Sequence, residues 1–186
     1  MGGVAFLTRR GGWPKAVGQP KELALQQAQD YVDAVVEFDI SRVDGVRRDP
    51  ERVCMLMRSY ARMTASQGSY ETMLRDVAKS GLSFGRTSFL EYVAALKRLF
   101  VTDDLGWNPN LCAKEDIRTF PTRHFVDPSI ATAALGAGPG DLMGDLNTFG
   151  LVFESLCVSS QSECDVKIFV AFASGASYDS SRMRGG

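Results

Sequence analysis

Apolar residues recur along much of this chain at helical rather than strand spacing. From Pro20 onward, Ala24, Ala28, Tyr31, Val35 and Phe38 alternate steps of four and three, which lines one face of a helix. After the polar break "SRVDGVRRD", the pair Asp49-Pro50 opens a second helix with Val53, Leu56, Met57, Tyr60 and Thr64 on one side. Asp at the N-cap accepts bonds from orphan amides, and Pro at the first helical position loses nothing because its amide had no partner there. A shorter helix, "SYETMLRDVAKS", follows Gly68. Then "RTSFLEYVAALKRLF" sets Phe89, Val93, Leu96 and Phe100 on one stripe, with "GLSFG" as the turn between the two.

The pattern then changes. "LFVTDDLGW" is β-rich and runs into the turn residues "NPN". "RHFV" alternates polar and apolar residues as a strand, and Asp127-Pro128 repeats the cap chemistry with "SIATAAL" as the helix behind it. Past "GAGPG", the residues Leu142, Leu146, Phe149, Phe153 and Leu156 again step by four and three. That spacing predicts one amphipathic helix with Glu154 at its edge. Three helices with a tight connection, followed by a β-rich stretch, have the order of a helix-turn-helix with a wing. Arg86, Lys97 and Arg98 mark the polar face of its last helix and are the candidate nucleic-acid contacts; the competing reading is an ordinary solvated face.

A hydrophobic fraction of 45% and a charged fraction of 23% predict a folded chain, and 186 residues accommodate one domain or two. The 21 Lys and Arg against 22 Asp and Glu exclude a global field that recruits nucleic acid or membrane, so any polyanion site must be local. No apolar run of ~20 residues exists, and the expectation is a soluble cytoplasmic protein without membrane contact. Cys54, Cys112, Cys157 and Cys164 form no CxxC pair, and one histidine cannot complete a Cys/His metal set. They are expected as buried free thiols. His124 precedes Asp127 by three residues, but no Ser or Cys nucleophile with an orienting group is apparent beside it, which favours a partly exposed strand histidine at a structural joint over a base. "LGAGPGDLMGD" lacks the lysine and Ser/Thr of a phosphate-binding loop, so no nucleotide site is expected and no cofactor is implied.

The pieces "RGGWPKAV", "QAQDYVDAVVEFDISRVDGVRRDPERV", "RSYAR", "YVAALKRLFVTDDLGWNPNL", "IRT…TRHFVDPSIATAALG" and "DLMGDLNTFGLVFESLCV" run in that order over residues 8–158. They resemble the C-terminal region, a domain of unknown function of the DUF4143 type, of bacterial and archaeal ATP-binding proteins of the AAA superfamily. The resemblance implies a winged-helix-like part followed by a restriction-endonuclease-like α/β fold, behind an ATPase domain that this chain lacks. After "FESLCV" the family continues with an acidic pair, a further acidic residue and a lysine, where this chain reads "SSQSECDVKIFVAFASGASYDSSRMRGG". Residues 166–172 fit one strand and the remainder a tail. On that resemblance, truncation or a shifted reading frame is the expectation for both ends.

The expectation is therefore an α+β chain: a helical segment over 8–48, a winged-helix-like region over 49–110, a truncated nuclease-like α/β remnant over 111–158 and a divergent tail over 159–186. The function expected is a non-catalytic module of an ATP-binding AAA-superfamily protein, contacting DNA, an upstream ATPase domain or another protein. The alternatives are a metal-dependent nuclease using Glu154 and Asp127, whose chemistry needs converging carboxylates on Mg²⁺, and an inactive truncated product.

Overall fold

The computed structural model describes residues 2–105 and 121–159. Of these, 69% are helical, and the remainder includes one two-stranded antiparallel sheet, an α+β composition. The turn at 108–110, the strand at 166–172 and the tail expected beyond 159 lie outside the described residues.

Helix α1 (Gly2–Arg10), unanticipated in the sequence, buries Ala5, Thr8 and Arg9. Its single apolar face is short, and a buried arginine carries much of it. Arg9 donates to the carbonyls of Ala137 (3.0 Å) and Leu25 (3.2 Å), which compensates its desolvation. A short 3₁₀ turn (Pro14–Ala16) leads to α2 (Lys21–Ala34), which buries Ala24, Ala28 and Val32. A π turn (Val35–Asp39) then passes into α3 (Ile40–Arg42).

The π turn corrects the first helix expected. One extra residue per turn rotates everything after it relative to a regular 3.6 period. Ile40 takes the core position with no exposure, and Phe38 is turned out to 57% exposure, its ring 5.7 Å below the Arg42 guanidinium.

Helix α4 (Pro50–Arg62) follows the sequence pattern: Val53, Leu56, Met57 and Tyr60 are fully buried, and Asp49 caps the helix through the Glu51 amide. Ser69 caps α5 (Tyr70–Lys79) through the Thr72 amide, and α6 (Arg86–Arg98) buries Phe89, Tyr92, Val93 and Leu96. Phe100, assigned to that buried stripe by spacing, is instead 77% exposed. Helix α6 has already ended: the Phe100 amide bonds the Lys97 carbonyl and the Val101 amide bonds the Leu96 carbonyl, so Val101 takes the core place.

Strand β1 (Thr102–Leu105) pairs with β2 (Thr122–Phe125) in the register Thr102↔Phe125, Asp103↔His124, Asp104↔Arg123. Arg123 also pairs through its backbone with Ala65 and Ser66 after α4. The polar–apolar alternation expected of "RHFV" does not appear, because both faces of β2 are covered and Arg123, His124 and Phe125 are all buried. Phe125 meets the Tyr60 ring of α4 edge-on, and His124 faces the last helix.

Helix α7 (Pro128–Leu135) packs against α1, α2 and α4, and its small residues Ser129, Ala131 and Ala133 permit that close approach. The single helix expected after "GAGPG" is two: α8 (Pro139–Gly144) and α9 (Leu146–Ser159). Asp145 breaks the pattern because its carboxylate accepts from the Asn147 and Thr148 amides, making it the cap of α9. The register shift leaves Leu146 61% exposed and gives the core to Leu142, Val152 and Leu156.

Candidate functional site

The chemistry-bearing side chains gather where α4, α5 and α6 meet the hairpin. Asp104 on β1 sits opposite Arg123 on β2, and both point to the α4 side, since their face also carries Phe125. The Asp104 carboxylate receives Tyr60 Oη on one oxygen, and Arg123 Nη1, Lys97 Nζ (2.6 Å) and Tyr70 Oη (3.3 Å) on the other. Arg123 further donates to the Gly68 carbonyl at 3.1 Å and lies 4.2 Å over the Tyr70 ring. Two cations and two phenols thus converge on a single carboxylate that is nearly out of solvent.

The electrostatics follow. Burial pushes the Asp104 carboxyl up, but hydrogen bonds from Lys97 and Tyr60 and the charges of Arg123 and Lys97 outweigh it and hold it below its ordinary value. Burial and the hydrogen bond to Asp104 push the Tyr60 phenol well above its ordinary range. Burial draws the Lys97 ammonium down, but its bonds to Asp104 and Tyr70 more than reverse this and keep it protonated.

Two open cavities flank the Lys97–Asp104 pair. One, of about 490 Å³, is lined by Tyr70, Glu71, Arg86, Lys97, Asp104, Pro121 and Arg123. The other, of about 290 Å³, is lined by Lys97, Phe100, Thr102, Asp103, Asp104 and Val126. Both share Lys97 and Asp104 and lie along the seam between α6 and the hairpin.

The residues singled out from sequence fall in different places. Arg86 and Lys97 line the larger cavity; Arg86 is paired with Glu71 at 2.9 Å on an exposed rim. Arg98 lies 3.8 Å from Asp44, a carboxylate already bound by Arg48 at 2.7 Å, and lines neither cavity. Asp127 is a joint. Its carboxylate accepts from the Gly12 amide (2.7 Å), the Ser129 amide (2.8 Å) and the Ser129 hydroxyl, and Trp13 Nε1 donates to that same hydroxyl at 2.8 Å. Gly11 turns here with φ +72°, and a Cβ on it would collide with Asp127 and Ser129. Glu154 is exposed on α9.

His124 is not the partly exposed histidine expected. It is 5% exposed, with Nδ1 2.6 Å from the hydroxyl of Ser155 on α9. A serine does stand beside it in space, 31 residues away in sequence. Burial of both groups bars a substrate from this pair, which acts as a polar link between β2 and α9. Burial draws the imidazole down, against the charges of Glu154, Asp103 and Asp104. The cysteine expectation also fails where it is described: Cys54 and Cys157 are exposed, each one position beyond a core residue, Val53 and Leu156. Cys112 and Cys164 lie outside the described residues. Among the described residues no group of three His, Cys, Asp or Glu side chains is placed to hold a metal ion.

The sequence reading missed Tyr60, Tyr70, Asp104 and Arg123. Their only early sign was a charged residue in each of two short strands, whose pairing becomes visible once the register is fixed.

A family model described as a domain of unknown function, DUF8612, matches residues 3–141. The chain belongs to that family. The DUF8612 match takes in α1 through α7 and the hairpin, hence the whole Asp104 cluster and the seam, and stops before α9 with Glu154 and Ser155. No curated protein and no solved structure matches the chain. No helix among the described residues is long and apolar enough to cross a membrane.

Proposed function

We propose that this DUF8612 domain is a non-catalytic binding module whose seam between α6 and the hairpin receives a polyanion, the phosphate backbone of a nucleic acid. The observation that carries the reading is the convergence of Arg86, Lys97 and Arg123 on one open cavity, although they come from both ends of α6 and from β2. The cavity lining carries three cations, Arg86, Lys97 and Arg123, against two carboxylates, Glu71 and Asp104, so its formal charge is positive by one. The exposed Arg86–Glu71 pair holds Arg86 only weakly, and a phosphate competes with such a partner. The element order α4–α5–α6 followed by β1–β2 favours a winged-helix-like reading, with α6 and the hairpin as the contact elements. The sequence resemblance supports an ATP-binding protein as the larger context. A non-catalytic role is favoured because Asp104, the buried carboxylate of the seam, is fully engaged by its four partners and leaves no base poised.

Fluorescence anisotropy with labelled DNA tests this. Binding should weaken steeply as salt rises from about 50 to about 200 mM, because phosphate contacts release counterions. The R86Q/K97Q double variant should lower the salt slope by about two, one for each lost contact. Arg98→Gln should leave it unchanged. Binding that is indifferent to R86Q/K97Q, or lost on Arg98→Gln alone, would send the reading elsewhere.

A further inference from the structure

We infer that Phe100 is a base-stacking residue at the aromatic end of the seam, and that the nucleic acid taken there is single-stranded; the inference rests on the polyanion reading above. Phe100 has the largest exposure of the large exposed apolar side chains among the described residues, 77%. Its backbone is left-handed, with φ +54°. Both facts follow from its place just past the end of α6, where the 6→1 bond from Val101 to Leu96 closes the helix. Helix α7 ends with the same pair of bonds, Gly136 to Ala133 and Ala137 to Thr132, and there the left-handed position is held by glycine with φ +68°. Glycine adopts that conformation freely, whereas a bulky side chain adopts it against steric resistance. The phenyl ring gives the fold little in return, because Val101, fully buried, supplies the apolar contact of the motif.

The surroundings identify a ligand class. Phe100 and Val126, 39% exposed, line the smaller cavity, and Lys97 and Asp104 line both it and the larger one. Thr102 lines the same cavity, and its buried hydroxyl has no hydrogen-bond partner. The cationic excess lies in the larger cavity, and at the ring end Lys97 stands with Asp103 and Asp104. Cations for the phosphates with an exposed flat ring beside them are the arrangement that binds unpaired strands, a base lying on the ring. A duplex keeps its bases stacked on one another and offers no free base face to the ring. Asp103, exposed on β1 at this end, repels phosphate and directs the backbone along the Lys97 side.

The experiment uses the full chain and labelled oligothymidylate of about 12 nucleotides, within the usual site size for such grooves, beside a duplex of equal length. Phe100→Gly and Phe100→Leu should each lose about tenfold in affinity for the single strand, the scale of one lost stack. Their salt slope should match that of the wild type. Phe100→Trp should retain affinity, with tryptophan emission quenched on binding beyond any change in the wild type. Asp103→Asn should bind more tightly. Phe100→Gly should also unfold at higher urea than the wild type, so its loss of binding is not loss of fold. Single-strand affinity unchanged in Phe100→Leu and Phe100→Gly, or duplex bound as tightly as single strand, overturns the inference while leaving the polyanion reading intact. Wild-type chain that binds neither nucleic acid overturns both.

Discussion

At the scale of the residue, Asp104 shows how one carboxylate organises a site. It is 6% exposed and Arg123 is 3% exposed, so removing its charge strands a buried guanidinium. Asp104→Asn is expected to destabilise the fold by about 3 kcal/mol, the usual cost of breaking a buried pair from one side, measured as a lower urea midpoint at neutral pH. Gly11→Ala should also destabilise, by at least about 1 kcal/mol for the left-handed backbone alone, with the collision against Asp127 and Ser129 added to it. Single residues whose chemistry is local were legible in the sequence. Asp49 and Asp127 cap helices because an Asp-Pro pair needs only its own next few amides. Asp104 and Arg123 were illegible for the opposite reason: their partners lie on α4, α5 and α6, and only the hairpin register brings them together.

At the scale of the element, the existence and type of α2, α4 and α6 could be read from apolar spacing and of α7 from its Asp-Pro cap, and the errors cluster where a helix changes period or stops. Phe38 was misplaced by a π turn, Phe100 by a helix end and Leu146 by the Asp145 cap, each a hydrogen-bond decision that apolar spacing does not encode. The link between β2 and α9 yields a pH dependence. The folded His124 titrates below its unfolded value of about 6.5, so the unfolded chain binds the proton more readily. Its contribution to stability is fully present above about pH 6.5 and declines as pH falls from there through the folded value. Asp104 adds a second decline, starting near its unfolded value of about 3.9 and continuing as pH falls through the folded value, because its folded value is also lowered. Thermal melts from about pH 8 down to about pH 5 should show the first limb, and His124→Gln should flatten it. Since the chain has one histidine, no other imidazole contributes.

At the scale of the whole molecule, segments far apart in sequence are stitched at one joint. Trp13 donates to Ser129, Gly12 to Asp127 and Arg9 to Ala137, over separations of 116, 115 and 128 residues. Trp13→Phe should cost about 1 kcal/mol, one hydrogen bond, read from urea unfolding with no change in the steepness of the transition. That joint also sets a schedule for synthesis. Within the described fold α1 leaves the ribosome first, yet every partner that holds Arg9, Gly12 and Trp13 in the α7 region is translated more than a hundred residues later. At about 5–20 residues per second the N-terminal turn waits several seconds with only α2 to hold it, through the Leu25 carbonyl and the Tyr31 ring. The nascent segment bearing "RGGWPKAV" is thus open to chaperones until α7 has been made, and a protease added to stalled chains should cut it until Ala137 itself has cleared the exit tunnel.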